Sequence, residues 1–563
     1  MKKLIALALL ATLGAMCWLY GDPLTGTKTI GPPGSDYGTF SAAIADLNTN
    51  GVGAGGVTFL VSDGSYAENT PAITAIGTEA NQIVFQPQPG AEPVLVPAGG
   101  DETHGFKLTG AQWVTFDNID VYGPADLEYG YYLAAYSVAA SQHNTIQNCN
   151  ISLLAGTSTN YGIYSRNSGA YSNSHNSILN NTIENFRTGI NFSSFSSSDT
   201  YSEGNLIQEN TIRNARNYGI YLGYAYSAQI NSNAIHFEEG GSGQYYGINV
   251  YSADVTADGN SISGGSTSGT IHAIRHHSGD ATYLNNTVTG PAPTAYSAWY
   301  GLYPSGGTTT WENNTVSGIH HTGSGAIYTV YVGSGTHTFD GNQITAISGS
   351  GSRVYGFYVI GSGANQISSN TVSQLEYLGT GTGLVYGINL ASGTSTVFNN
   401  MIGGLAGENG TTAPQIRGLA VSSGQSHSIW NNSVHLSSTG SGNHSSAALY
   451  VGSTTAAIDL RNNILVNESQ PGPSGKCAAF WKTFAGVDNL LASSDKNVYY
   501  AGIPGPQHLI GVFGASEYQT LHEYQDMADP VDPNAFAEDV PFLETGIPLD
   551  LHVATGIPTC VEG

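Results

Sequence analysis

Between residues 104 and 465 the apolar residues fall at alternate positions or in short runs bounded by Gly, Ser and Asn. That is the period of strands, not the 3.6-residue period of helices. β-Branched and aromatic residues fill the runs, as strands prefer. Two signatures alternate through the stretch. The first is any residue, then Gly or Ala, then an apolar residue. It occurs thirteen times, as in His104-Gly105-Phe106, Tyr161-Gly162-Ile163, His272-Ala273-Ile274, Gly325-Ala326-Ile327, Tyr355-Gly356-Phe357 and Ala447-Ala448-Leu449. The second places an Asn two residues before Ile or Val, or their equivalent, at Asn181, Asn210, Asn233, Asn260, Asn286, Asn314, Asn342, Asn370, Asn400, Asn432 and Asn463. These asparagines are 23 to 32 residues apart, and Ile119 and Cys149 sit at the same phase upstream.

A unit of that length cannot bury its own apolar face, so neighbouring units must stack. Two or three short strands per unit close into a coil, and each coil adds ~4.8 Å along the axis. The pattern therefore predicts an all-β right-handed parallel β-helix, a solenoid. Asn tolerates the left-handed angles of a tight bend. Stacked on identical bends, its amide bonds to the amide of the next coil. The small middle residue of the first signature marks a place without room for a larger side chain. Leucine-rich repeats, propellers and calcium-binding rolls need signatures that are missing here.

A short amphipathic helix is expected over Ser35–Asn48, with Phe40, Ile44 and Leu47 on one face. A second is expected within residues 516–529, with Tyr518, Leu521 and Tyr524 at helical spacing. These short helices are expected to cap both ends of the solenoid, because an end coil otherwise presents an unpaired edge.

With its repeats and lead-in helix, the chain resembles the secreted bacterial right-handed parallel β-helix proteins of the pectin-lyase-like superfamily. The resemblance covers most of the sequence and implies the same fold, with an N-terminal capping helix. It does not carry an activity across. Gly64-Ser65-Tyr66-Ala67-Glu68 matches an element of pectin methylesterases, but that family's other motifs are missing, and the element also opens the first coil of non-enzymatic relatives. The motif sets of polygalacturonases and pectate lyases are incomplete as well.

The expected organisation is a signal peptide at residues 1–21 and an N-terminal cap with first coils at 22–103. Repeats follow at 104–467, and C-terminal coils with a cap at 468–563. Lys2 and Lys3 followed by an apolar run to about Tyr20 have the form of a cleaved secretory signal. No later stretch is apolar enough to span a bilayer. The expected location is therefore outside a bacterial cell, secreted or on its surface. No C-terminal sorting domain is recognisable before Gly563, which is compatible with a longer protein. Cys477 and Cys560 either pair or remain free thiols, and no cysteine has metal-ligand spacing.

Composition narrows the partners. Forty acidic side chains against 15 basic ones give a formal charge of −25. That argues against nucleic acid, which needs clustered cations, and against anionic polyuronates. No cofactor or metal is implied. An extracellular polysaccharide or a cell-surface partner fits better. Tyr161, Tyr218, Tyr246, Tyr300, Tyr355 and Tyr386 share one phase of the repeat, and in register they form a stripe. Facing outward, they are candidate ligand-binding residues for neutral sugars or a partner protein. Facing inward, they are core. Polar residues at the same phase, Thr188, His272 and Arg417, favour the outward placement.

One cluster carries candidate acid/base chemistry. Asp254 and Asp258 lie one coil before Arg275, His276, His277 and Asp280, with His320 and His321 following. The alternative is a set of solvated turn residues. The leading functional expectation is a structural, adhesive or carbohydrate-binding β-helix. The alternative is a polysaccharide lyase or glycoside hydrolase, and a phage-spike-like fibre is a third reading disfavoured by the export signal.

Overall fold

The computed structural model describes residues 21–97, 104–124, 126–135, 139–154, 160–193, 200–290, 292–293, 297–407 and 411–562. The expected signal peptide lies outside the described residues. Two compact units divide the chain, one ending at Ala234 and one beginning at Ile235. Each is a parallel β-helix, and each coil contributes a strand to each of three parallel sheets.

In the first unit the first sheet holds strands such as Tyr161–Arg166 and Thr188–Ser193, the second Ser177–Leu179 and Leu206–Gln208, and the third Thr182–Glu184 and Thr211–Ala215. In the second unit the corresponding strands include Ile271–His276 and Trp299–Pro304, Asp280–Leu284 and Thr308–Glu312, and Thr287–Thr289 and Thr315–His321. Registers are strict. Ile146 pairs with Ile178 and Ile178 with Ile207, so each inward side chain sits on its own kind. The core is built from such columns, including the stacked rings of Phe59, Phe85 and Phe116 and those of Tyr283 and Trp311.

The first signature supplies the first-sheet strands, and its small middle residue is dictated by the next coil. A Cβ on Gly387 would lie 2.6 Å from the Gly418 carbonyl oxygen and 2.5 Å from Ile402 Cγ2, and Gly130, Gly162, Gly356 and Gly418 meet equivalent neighbours. One assignment shifts by three residues. Tyr300 pairs with Tyr328 and Leu302 with Val330, so the fitting triplet is Tyr328-Thr329-Val330 rather than Gly325-Ala326-Ile327. Buried Thr329 then occupies the middle place, so that place is not always Gly or Ala.

The asparagines line up as expected, at the corner between the second and third sheets. Asn314 donates its backbone N–H and its Nδ2 to Asn342 Oδ1, both at 3.0 Å. Its Nδ2 also reaches the Tyr283 carbonyl at 3.0 Å. The same pattern joins Asn181, Asn210 and Asn233 in the first unit, with the Cys149 N–H donating to Asn181 Oδ1. In the second unit it runs from Asn260 through Asn463 to Asn497. The left-handed residue of the bend, however, is the one before the ladder Asn. Asn180, Asn285, Gly341 and Asn462 carry φ of 51°, 53°, 65° and 52°. The ladder Asn is selected because one amide both accepts and donates in a fully buried place, not for its backbone freedom.

Both helices are shorter than expected. Helix α1 is Phe40–Asn50, with Thr39 as N-cap. The chain before it is held elsewhere, because Asp36 accepts from the Thr29 N–H and hydroxyl. Glu68 accepts from the N–H groups of Phe40 and Ser41 at 2.9 and 2.8 Å, and the Tyr66 ring packs edge-on to Phe40. The Gly64–Glu68 element thus caps α1, a structural duty favoured by the helix dipole. Helix α2 is Leu521–Ala528 with a Thr520–Glu523 capping box. Ser516–Tyr518 instead form an antiparallel strand on His508–Phe513. All three described cysteines are free thiols, Cys149 and Cys477 buried and Cys560 exposed, so Cys477 and Cys560 do not pair.

Candidate functional site

The tyrosine phase lands on the side of the first sheet turned away from the interior. In each strand the apolar third residue of the signature, such as Ile163 or Ile274, is fully buried, while the first and fourth residues face out. Two ranks of side chains result.

In the second unit the front rank is Tyr246, His272, Tyr300, Tyr328, Tyr355 and Tyr386. Successive ring centroids are 4.8, 4.7, 5.1, 5.2 and 4.8 Å apart, and the rings are nearly parallel. Arg417 continues the rank, with Nη1 donating to the Tyr386 hydroxyl at 2.8 Å and Cζ 3.7 Å from the Tyr450 ring centroid. The rear rank holds Arg275, Tyr303, Tyr331 and Tyr358, with the Arg275 guanidinium 4.9 Å from the Tyr303 ring. Tyr355 and Tyr386, with Leu384 and Ala420, form an apolar cluster apart from the interior.

In the first unit Tyr129, Tyr132, Tyr161 and Tyr164 form a four-ring group, and Tyr218 stands against Tyr221. Thus Tyr161 and Tyr218 belong to one unit and Tyr246, Tyr300, Tyr355 and Tyr386 to the other. The sequence reading missed Tyr328 through the shifted triplet. It missed the rear rank although a tyrosine three residues on is visible in Tyr161-Gly162-Ile163-Tyr164 and Tyr355-Gly356-Phe357-Tyr358.

The stacking sets what this face offers. Ring faces are covered by neighbouring rings, and Tyr246, His272, Tyr355 and Tyr386 are buried altogether, contrary to the expected outward exposure of those tyrosines. Tyr300, Tyr328, Tyr303, Tyr331 and Tyr358 are half-buried and keep edges toward solvent. Burial raises the phenol pKa of Tyr300 to about 12 and pushes those of Tyr328 and Tyr355 up as well, so they remain donors near neutrality. Burial, with Arg275 nearby, lowers His272 to about 3, so it is neutral. Its tyrosines and His272 are thus uncharged, and the charges on this face are the guanidinium groups of Arg275, Arg353 and Arg417.

The acid/base candidates do not converge. Asp254, His276, His277 and Asp280 share the corner between the first and second sheets, where Asp254 Oδ1 accepts the Asp280 N–H at 2.9 Å. Arg275 points to the tyrosine face instead. Asp258 lies at the far end of its strand and accepts from Asn285 Nδ2 at 2.8 Å. The His276 ring is buried with both nitrogens occupied. Nε2 faces the Gly279 carbonyl at 3.2 Å and so carries the proton, leaving Nδ1 to accept from the Tyr283 hydroxyl at 3.0 Å. Burial lowers His276 and His277 to about 4. His321 is buried against the Ser297 carbonyl, while His320 is exposed and bonds Ser348 Oγ. Among the described residues no group of three or more His, Cys, Asp or Glu is placed to hold a metal ion, and no helix is long and apolar enough to cross a membrane.

Comparison with known proteins agrees with the fold. Residues 104–288 match the family described as "Right handed beta helix region". No curated protein sequence matches the chain. Among solved structures, the chain is similar to the catalytic domain of a GH87 alpha-1,3-glucanase in complex with nigerose, at 14% identity and a TM-score of 0.35, covering 69% of this chain and 66% of that one. It is similar to a GH136 lacto-N-biosidase from Eubacterium ramulus at 10% identity and a TM-score of 0.36, covering 73% and 68%. A mannuronic acid specific polysaccharide family 6 lyase from human gut microbiota gives 12% identity and a TM-score of 0.36, covering 71% and 87%.

Proposed function

We propose that this β-helix is an exported binding protein that holds neutral carbohydrate along the outer face of its first sheet. The observation that carries this reading is the group of half-buried stacked tyrosines on that face of the second unit, Tyr300 and Tyr328 in front and Tyr303, Tyr331 and Tyr358 behind. In the rear rank the hydroxyls of Tyr303, Tyr331 and Tyr358 recur once per coil, about every 4.8 Å, and the rigid stack lowers the ordering cost of binding an extended, hydroxyl-rich chain. Tyrosine is suited to such contacts because an apolar body carries a polar tip. With 40 acidic side chains against 15 basic ones the chain as a whole favours a neutral ligand over a polyuronate, and the guanidinium groups of Arg275 and Arg417 on this face are already engaged with its tyrosine rings.

The test is a glycan array read with the full chain and with Tyr328→Ser and Tyr358→Ser. Binding of a neutral polysaccharide that falls in both variants supports the reading. Binding of none, or binding indifferent to both changes, removes it. A reducing-sugar and unsaturated-product assay on the same polysaccharides addresses the enzyme alternative. Product formation that disappears in Asp280→Asn, with the fold retained, would replace the binding role by a catalytic one.

A further inference from the structure

A different face of the second unit carries a groove. The chain after α2 returns as the hairpin of Phe542–Glu544 and Asp550–Val553, which lies on the outside of the third sheet. A Cβ on Gly403 would lie 2.8 Å from Leu549 Cδ1, so this glycine makes room for the hairpin. The Leu551 N–H reaches Met401 Sδ at 3.3 Å, and Leu551 is buried. Between the hairpin turn and the sheet is a groove of about 350 Å³, with Ser373, Gln374 and Glu376 on one side and Gly546, Ile547 and Leu549 on the other.

The sheet is creased under this groove. Gly318, Ala346, Gln374 and Gly404, one in each of four successive strands, have φ of 67°, 56°, 53° and 60°. A left-handed Gln is costly, and here it turns its amide onto the outer surface. Gln374 Oε1 accepts from Thr345 Oγ1 at 2.8 Å, which in turn accepts from Ser373 Oγ at 3.1 Å. With its oxygen engaged, the amide directs Nε2 as a free donor. Glu376 follows in register with Ser348 and His320, which bond each other at 2.9 Å. Opposite these polar groups Ile547 is 72% exposed, a large apolar side chain that the fold does not use.

We infer that this groove is a binding site for a neutral oligosaccharide, separate from the tyrosine face. One wall is apolar and suits the C–H face of a sugar ring. The other presents a donor, an acceptor carboxylate and hydroxyls, and the volume lies in the range of small-ligand sites. The third-sheet strands from Ser261 to Asn467 contain no Lys or Arg, and Glu376 repels a carboxylate, so uronate chains are excluded.

The full chain is titrated with β-1,3-, β-1,4- and α-1,3-linked glucan hexasaccharides and with a galacturonate hexasaccharide, and amide hydrogen exchange locates the contact. The expected result is that one glucan protects residues 373–376 and 545–549, and that the galacturonate does not bind. Ile547→Ser and Gln374→Ala each weaken binding about tenfold or more, with the melting temperature held. Glu376→Gln keeps glucan binding and admits the galacturonate, a gain that a misfolded variant cannot show. Protection confined to residues 353–358 would place binding on the tyrosine face and overturn the groove while sparing the first proposal. No protection at the groove with any hexasaccharide, or undiminished affinity in both Ile547→Ser and Gln374→Ala, overturns it as well.

Discussion

The corner that opens each second-sheet strand is built differently in the two units. In the first it is a second amide ladder. Asn144 donates its N–H and Nδ2 to Asn176 Oδ1 at 3.0 and 3.1 Å, and Asn176 does the same to Asn205 at 2.9 and 3.3 Å. In the second unit the column reads Thr309, His337, Asn365, Ser395 and His427, in register and all buried. Here only part of the column is bonded: among the described residues Thr309, His337 and one nitrogen of His427 have partners, while both amide atoms of Asn365 and the Ser395 hydroxyl are buried without one. His337 Nε2 donates to the Ser334 carbonyl at 3.0 Å, its Nδ1 accepts from Thr309 Oγ1 at 2.8 Å, and Thr309 accepts from Trp311 Nε1 at 2.7 Å. A ladder links every coil to the next through one residue type, whereas the second column mixes residue types, joins Thr309 to His337 across coils and leaves Asn365 and Ser395 without side-chain partners. The two corners should therefore respond differently to the same exchange.

The largest difference is expected from swapping the chemistries. Asn176→His breaks four bonds at once and leaves the Asn144 N–H and the Ser141 carbonyl unpaired and buried. At 1–3 kcal/mol for each orphaned group, a loss of about 3 kcal/mol or more is expected in denaturant unfolding. The reverse exchange, His337→Asn, gives up two bonds, one to the nearby Ser334 carbonyl and one across the coils to Thr309, and should cost about 1–2 kcal/mol. Equal losses would mean that the ladder has no special role at this corner.

Acid separates the units next. Burial, with Arg275 near two of them, holds His272 at about 3 and His276, His277 and His337 at about 4. These are lowered from an ordinary 6.5, so the unfolded chain takes up protons first as pH falls. Their contribution is complete above pH 6.5 and is drawn down as pH falls through the folded values near 4. Hydrogen exchange at pH 5 against pH 7 should therefore show the second unit losing protection at residues 309–311 and 337–339. The amide-laddered strands at residues 145–147 and 177–179 should change less, because the lowered histidine beside them, His143, is only half-buried. Equal loss in both units would remove the histidines as its cause.

This contrast also explains what the sequence disclosed. The 181-to-463 ladder was legible because one residue type recurs at one phase beside a β-branched residue. The Asn144, Asn176 and Asn205 ladder was not, because three members do not make a visible period in an Asn-rich chain. The left-handed position was misplaced because Asn often fills both it and the ladder place, as in Asn313-Asn314 and Asn399-Asn400. The stripe of tyrosines was legible as a phase, but its ring-to-ring stacking depends on register, and register at Tyr328 was hidden by an equally plausible Gly-Ala pair three residues earlier. The groove under the hairpin had no signal, because Gly403 and Leu549 are far apart in sequence and only folding brings them together.

The smallest effect is expected where a ladder ends. Asn497 donates its N–H and Nδ2 to Asp532 at 3.5 and 3.2 Å, and the Tyr499 hydroxyl donates at 2.7 Å. The ladder of the second unit thus closes on a buried carboxylate, whose pKa is raised by burial although Tyr499 and Asn497 oppose the shift. A raised carboxylate has the opposite sign to the lowered histidines. Its contribution is complete below the ordinary value of 3.8 and is lost as pH rises through the folded value. Asp532→Asn removes that charge but keeps an acceptor oxygen for Asn497, while competing with Tyr499 for a donor. The two effects oppose, and at pH 7 the net change should stay within about 1 kcal/mol. The variant should also lose the part of the pH dependence that weakens the protein above pH 4. A loss of several kcal/mol would instead show that the ladder needs an ionised terminus, and that its amides act as one polarised chain rather than as a series of independent bonds.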